Sequence, residues 1–359
     1  MGHPLKIPEL LDLILSSVDA PQDLKASALV CRSWALPSQS RLFSSIYLHE
    51  DEVHPRLLLS ALQRSHLIRL IKTLNLIDLP QSVLPRFAHI SFYGVHTLGF
   101  HGRSAYYRRV VCTIQKFPSS PALVSVTISC NFRRSDDFLH IWDRCSHTIM
   151  NLSFTPGPDF NPGDSPDPAP GGSRRIKFES FGCTKSLDKI GRWLRDPSSP
   201  FDISGLKAFQ CNDSIRGVFA ETLAPALRTI AILSLIDPRL TQDISRFRRL
   251  QQLDLELAYP FDEHFGVICT IRSEDRHHLQ ALQLHVSQLE EAQAKALAHE
   301  LRHLQSVFSH IKTVHLRVIS ASAEVRMNLA SYFAQLDPKT ALHWEFDAVE
   351  ETPWYTRIV

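Results

Sequence analysis

Two stretches decide how this sequence is read: Leu250-Gln251-Gln252-Leu253-Asp254-Leu255 and Leu279-Gln280-Ala281-Leu282-Gln283-Leu284. Both follow one frame, apolar-x-x-apolar-x-apolar. Its second half alternates with period two, the mark of a strand that buries one face. Working outward, the frame returns at Ile311 (Val314, Leu316), and a last weak copy places Leu342 and Trp344 in its second and third apolar slots. On the other side it occurs at Leu227 (Ile230, Ile232), Leu206 (Phe209, Cys211), Phe178 (Phe181, Cys183) and Ile149 (Leu152, Phe154). Further back it occurs at Leu123 (Val126, Ile128), Val95 (Leu98, Phe100), Ile71 (Leu74, Leu76) and Phe43 (Ile46, Leu48). In chain order the start-to-start steps are 28, 24, 28, 26, 29, 28, 21, 23, 29 and 32 residues.

Between strands the chain reads as helix, at residues 57–66, 136–145, 186–194, 215–223, 287–308 and 323–336. Strand then helix, repeated, predicts an α/β fold with a parallel sheet and helices on its outer side. Alternation turns the frame residues inward and the residues between them to the open face. Those open-face positions include Thr73, Asn75, Ser125, Thr127, Gln252, Asp254, Gln283, His285, His315 and Arg317. They are small and polar in the first half and more charged and histidine-bearing toward the C-terminus.

The frame and its spacing resemble irregular leucine-rich repeats, which run about 20–29 residues around an L-x-x-L-x-L strand. Most copies lack the usual Asn after the strand, although Asn212 follows one. The resemblance implies a solenoid of horseshoe form, whose concave strands bind a protein partner. On that basis Gln252, Asp254, Gln283, His285, His315 and Arg317 are the expected substrate-contacting residues.

The first fifty residues have another texture. Leu10, Leu11, Ile14 and Leu15 lie at helical spacing after Pro8, which suits a first helical turn. Asp19 to Asp23 break that helix. A second apolar stretch holds Leu24, Ala28, Leu29, Val30, Cys31 and Trp34, with Asp23 expected to cap it and Pro37 to end it. Helices this short bury too little to stand alone and need a partner or a neighbouring domain.

Ile7-Pro8-Glu9-Leu10-Leu11-x-x-Ile14-Leu15, Asp23-Leu24 and Ala28-Leu29-Val30-Cys31-Arg32-Ser33-Trp34 closely resemble the F-box over residues 5–48. Ser40-Arg41-Leu42-Phe43 is similar to the fungal type of that family. Many F-boxes read L-P-x-E, and this chain reads Ile7-Pro8-Glu9, one residue shorter. The resemblance implies docking to a Skp-family adaptor, and through it to a cullin, by Pro8, Leu10, Leu11, Ile14, Leu15, Leu24, Leu29, Val30 and Trp34. The chain is then expected to be a non-catalytic substrate adaptor of a ubiquitin ligase. It divides into residues 1–48 (F-box) and 49–359 (repeats). The other readings are a repeat scaffold outside any ligase, with the N-terminus as a cap, and a zinc hydrolase.

Composition sets the bounds. Apolar residues make up 44% of the 359, charged residues 21%, and the formal net charge is +2. That balance gives no expectation of a nucleic-acid partner, which asks for a concentrated basic face. No apolar run approaches the about 18 residues of a membrane span. The start does not read as a signal peptide, and Lys6 breaks the myristoylation pattern after Gly2. The seven cysteines (Cys31, Cys112, Cys130, Cys145, Cys183, Cys211, Cys269) have no C-x-x-C spacing and are expected as reduced thiols in the cytoplasm or nucleus.

Two further features stand out. Ten of the 17 residues from Pro156 to Gly172 are Pro or Gly, so residues 156–175 are expected as a disordered insertion, with Ser165-Pro166 offering a phosphorylation site near Arg174 and Arg175. His299-Glu300-Leu301-Arg302-His303 matches H-E-x-x-H formally, a spacing that sets two imidazoles one helical turn apart for zinc. Yet each histidine lies two residues, about 200°, past an apolar-face leucine (Leu297, Leu301), so the pair is expected at the surface, and neither metal nor cofactor is expected.

Overall fold

The computed structural model describes residues 8–18, 20–49, 66–79, 90, 92–106, 121–132, 141–142, 148–156, 175–183, 190–191, 194, 199, 201–211, 221, 223, 226, 228–235, 244–257, 259, 261, 265, 268, 278–308, 310–334 and 341–346. Outside these lie the expected 57–66 helix except His66, residues 157–174 of the Pro/Gly-rich insertion, Ser165, Asn212, Cys112, Cys145 and Cys269. Of the other early helices, residues 141–142, 190–191, 194, 221 and 223 are helical. The chain forms two compact units, Met1–Pro166 with Gly171–Ser173, and Asp167–Pro170 with Arg174–Val359.

The first unit begins with helices α1 (Pro8–Ser16), α2 (Pro21–Val30) and α3 (Arg32–Leu42). Pro21 at the first helical position makes Ala20 the N-cap of α2, so Asp23 sits inside the first turn rather than capping it. Cys31 is extended (φ −164°, ψ 170°) and accepts from the amides of Trp34 and Ala35, which restarts the chain as α3. Pro37 therefore lies within a helix it was expected to end, and deprives the Ser33 carbonyl of its helical donor. Leu11, Leu15 and Leu24 form the small core, with Val18, Trp34 and Leu42 packed against it.

Strands β1 (Ser45–His49), β2 (Thr73–Ile77), β3 (Thr97–Tyr106), β4 (Ser125–Phe132) and β5 (Asn151–Pro156) then pair in parallel, each with the next. Residue 48, the expected domain boundary, lies inside β1. The register stacks Ile46, Leu74, Leu98, Val126 and Leu152 in one buried row, and Leu48, Leu76, Phe100, Ile128 and Phe154 in the next. Asp78 closes β2 at φ 50°, a left-handed conformation that Asp tolerates, and its amide donates to the His101 carbonyl at 2.7 Å.

The second unit contains β6 (Ile176–Lys177), β7 (Ser180–Cys183), β8 (Phe201–Asp202), β9 (Ala208–Cys211), β10 (Ile232–Leu235), β11 (Gln252–Leu257), β12 (Ala281–Leu289), α4 (Glu291–Val307), β13 (Thr313–Ala321), α5 (Ala323–Tyr332) and β14 (Ala341–Phe346). Strands β7, β9, β10, β11, β12, β13 and β14 are parallel neighbours in that order, and β6 pairs with β8. Their buried rows run Phe181, Phe209, Leu233, Leu253, Leu282, Val314 and Cys183, Cys211, Leu235, Leu255, Leu284, Leu316. Phe178 packs on Phe201 and Phe181 on Phe209, with ring centroids 5.0 and 6.3 Å apart. The helix expected from residue 287 starts at Glu291, because β12 runs on to Leu289 and Glu290 caps α4 in a reciprocal box with Gln293.

One carbonyl organises most of the described steps. The residue just before a strand accepts from two successive amides of the following repeat. Ser44 O takes Lys72 and Thr73, Lys72 O takes His96 and Thr97, and His96 O takes Val124 and Ser125. In the second unit Lys207, Ala231, Gln251 and Gln280 do the same for the amide pairs 231–232, 251–252, 280–281 and 312–313.

The register corrects one repeat. The frame read as Leu227-x-x-Ile230-x-Ile232 is Ile230-x-x-Leu233-x-Leu235: Leu233 is 0% exposed and pairs with Phe209 and Leu253, while Ile232 is 37% exposed. Both readings satisfy the pattern, because an Ile-Ala-Ile-Leu-Ser-Leu run offers two apolar phases. Thr229 marks the true one, donating to the Leu206 carbonyl at 2.7 Å just as Thr148, before Ile149, donates to Leu123. The flanking steps become 24 and 20 residues. Leu233→Ala is expected to lower unfolding stability in urea by about 2–5 kcal/mol, and Ile232→Ala by under about 1 kcal/mol. The reverse ranking would restore the other register.

Candidate functional site

The pleat carries the residues between the frames onto the open face, and the parallel register sets them side by side about 4.8 Å apart. One row in the second unit runs Gly182, Gln210, Ser234, Asp254, Gln283, His315, His343. The next includes Glu256, His285 and Arg317. All six residues expected to contact a substrate are thus on adjacent strands β11, β12 and β13.

They are not equally open. Gln252, Gln283 and Arg317 are half-buried and His315 is exposed, whereas Asp254 and His285 are buried at 4% and 8% exposure. Ser234 Oγ donates to Asp254 Oδ2 at 2.8 Å and Gln252 Nε2 donates to Oδ1 at 2.9 Å, so both carboxylate oxygens are held. The His315 and His343 rings stack at 4.8 Å between centroids and 18° between planes. The face therefore presents the imidazole of His315 and the guanidinium of Arg317 on β13 and the imidazole of His343 on β14, while the Asp254 carboxyl is buried and held by Ser234 and Gln252.

Ser234, Glu256 and His343 complete this face and were missed. The misplaced β10 frame turned Ser234 inward, and the weak last copy gave no reason to single out His343, although Leu342 and Trp344 already flanked it. In the first unit, Asn75 lies over Gly99: a Cβ at Gly99 would come within 2.0 Å of Asn75 Oδ1 and 3.0 Å of His101 Nε2. Burial lowers the His101 pKa, and Asp78 opposes that in part.

Burial raises the Asp254 carboxyl above its ordinary value and outweighs the hydrogen bonds from Gln252 and Ser234, which act the other way. In the titration window the folded chain holds more protons than the unfolded one. The contribution is complete below the unfolded pKa of about 3.9 and is lost as pH rises through the folded value. Asp254→Asn cannot titrate and is expected to lose less stability than the wild type between about pH 4 and neutrality. Urea midpoints measured across that range check this, and parallel profiles would contradict it.

The helical module is the second candidate surface. Pro8 opens α1, Leu10, Ile14 and Trp34 are partly buried, and Leu11, Leu15 and Leu24 are interior. Any part those three take in docking runs through the fold of the module. Leu29 and Val30 are 87% and 65% exposed, as are two residues outside the expected set, Leu13 at 67% and Leu36 at 58%.

His299 and His303 are exposed on α4, whose buried side is Ala294, Leu297, Ala298, Leu301 and Leu304. No group of three or more His, Cys, Asp or Glu able to hold a metal ion occurs among the described residues. Replacing both histidines by alanine is expected to change stability by no more than about 0.5 kcal/mol, against about 2–5 kcal/mol for Leu301→Ala, as read by urea unfolding.

Among the described residues no helix is long and apolar enough to cross a membrane. The fold and its open face define a parallel-sheet α/β repeat stack. No protein-family profile matches the sequence, and no curated protein matches it. Among solved structures, the chain is similar to the leucine-rich repeat-containing protein LegL7 from Legionella pneumophila, with a TM-score of 0.44 and 13% identity over 84% of this chain and 96% of that one. It is also similar to a Bacteroides fragilis protein, with a TM-score of 0.34 and 10% identity over 82% of this chain and 70% of that one.

Proposed function

We propose that the chain is a protein-interaction adaptor whose N-terminal helices dock a Skp-family subunit of a cullin ubiquitin ligase, while the open face of the parallel strands holds a protein substrate. The observation that carries this reading is the exposure of Leu13, Leu29, Val30 and Leu36 on three short helices whose own core is so small. Side chains of that size in water each forgo about 1.5–3 kcal/mol of burial, which a docking partner would recover. The P-E-L-L and V-C-R-S-W blocks, here α1 and the α2–α3 junction, name the partner class. In this reading the chain carries no ligase chemistry and acts by bringing two proteins together.

The test is co-expression of the intact chain with a Skp-family adaptor, followed by affinity capture. The expected result is a stable complex that is lost in Leu29→Asp, Leu36→Asp, with circular dichroism unchanged because both positions are at the surface. Failure of the folded intact chain to capture the adaptor would remove the ligase reading and leave an interaction scaffold of other membership.

A further inference from the structure

The rim of the second unit's sheet where the strands begin carries a charge pattern that the open face does not explain. The stretches entering β9, β10, β11, β12 and β13 are residues 204–208, 226–232, 246–252, 278–282 and 310–313. Together they hold six Lys or Arg and no Asp or Glu. In a chain with 39 basic and 37 acidic residues, such a run is a local segregation of charge. The two-amide carbonyl contacts fix these stretches against one another, since Lys207, Ala231, Gln251 and Gln280 each hold the next repeat.

Lys207, Arg228, Arg248, Arg249 and Lys312 are all exposed. Arg248 and Arg249 form a turn just before buried Leu250, and Arg228 takes the equivalent place before buried Ile230. Arg228, Arg248 and Arg249 make no ion pair or side-chain hydrogen bond with any described residue. Lys312 Nζ donates only to Gln280 Oε1, at 3.2 Å. Lys207 is partly neutralised by Glu179 at 2.8 Å, so the unbalanced charge lies from β10 onward. Asp202 ends the strip on the β8 side. Burial works to raise its carboxyl, but hydrogen bonds from Ser204 and the charges of Lys177 and Arg175 hold it below the ordinary range.

We infer that this rim binds a run of acidic side chains on a partner protein. Three strand spacings separate β10 from β13, so the unbalanced strip is about 14 Å long, the span of about four extended acidic-peptide residues. Arg228, Arg248, Arg249 and Lys312, which make no ion pair with a described residue, attract such a segment. The rings in these stretches are Phe247, which is buried, and the imidazoles of His278 and His310; with no exposed Trp, Tyr or Phe on which a base would stack, a carboxylate-bearing peptide is favoured over single-stranded nucleic acid. This inference does not rest on the helical module.

The experiment uses the full chain and fluorescein-labelled oligoglutamate of about twelve residues, read by fluorescence anisotropy at rising salt. The comparison probes are the same-length oligoglutamine and a single-stranded oligonucleotide of equal charge. Saturable binding of oligoglutamate is expected, absent with oligoglutamine and weakened by salt. Reversing Arg248 and Arg249 (Arg248→Glu, Arg249→Glu) is expected to weaken it about tenfold or more, as is the separate Arg228→Glu, with Lys25→Glu on α2 unchanged. The milder pair Arg248→Gln, Arg249→Gln reads the same loss should charge reversal disturb folding. Tighter binding of the oligonucleotide, equal weakening by Lys25→Glu, or no saturable binding at low salt would each overturn the inference.

Discussion

Among the described residues, most strands are located by one carbonyl oxygen of the preceding repeat. The residue before a strand offers its C=O to two successive amides of the next repeat, and that shared acceptor fixes where the following strand begins. Each amide that lost this acceptor would forgo a hydrogen bond worth about 0.5–1.5 kcal/mol net. Because strand side chains alternate with period two, fixing the first residue also fixes which side chains go inward. The buried rows, the polar rows and the basic rim in the second unit are consequences of that one contact repeated at unequal chain intervals.

The constraint explains why the sequence was legible where it was. Leu250, Leu253 and Leu255, and Leu279, Leu282 and Leu284, have polar residues between them, so only one phase buries a consistent face. At β10 the run from Ile230 to Leu235 has apolar residues in both phases. Composition could not choose between them, whereas hydrogen bonds to Lys207 and Ala231 could. The start of α4 was misread for a related reason: β12 continues through exposed Ser287 and Gln288, polar residues that look like a helix start when strand pairing with β13 is unseen. In the N-terminal module the helices are legible from apolar spacing, but Pro37 lies inside α3 and the break between α2 and α3 falls instead at the extended Cys31.

Candidate surfaces were read less completely than the fold. Alternation placed Asp254 and His285 on the open face but said nothing of the depth of that face. The residue on another strand that holds the Asp254 carboxyl, Ser234, lies 20 residues away in the chain. The outer docking residues had the opposite problem. Leu11 and Leu29 look alike in a helical pattern, yet Leu11 packs with Leu15 and Leu24 while Leu29 faces water. The rim was invisible while basic residues were counted over the whole chain. It emerges once strand starts separated by 20 or more residues are aligned.

The shared-carbonyl ladder is tested most directly by amide hydrogen exchange on the full chain. The account predicts that both members of each pair, Ala231 and Ile232, Gln251 and Gln252, Gln280 and Ala281, Lys312 and Thr313, exchange slowly and at similar rates. The turn amides of Arg248 and Arg249 should exchange fast. Slow exchange of only one amide in each pair, or protection at Arg248 and Arg249 matching that at Gln251 and Gln252, would contradict the register on which the account rests.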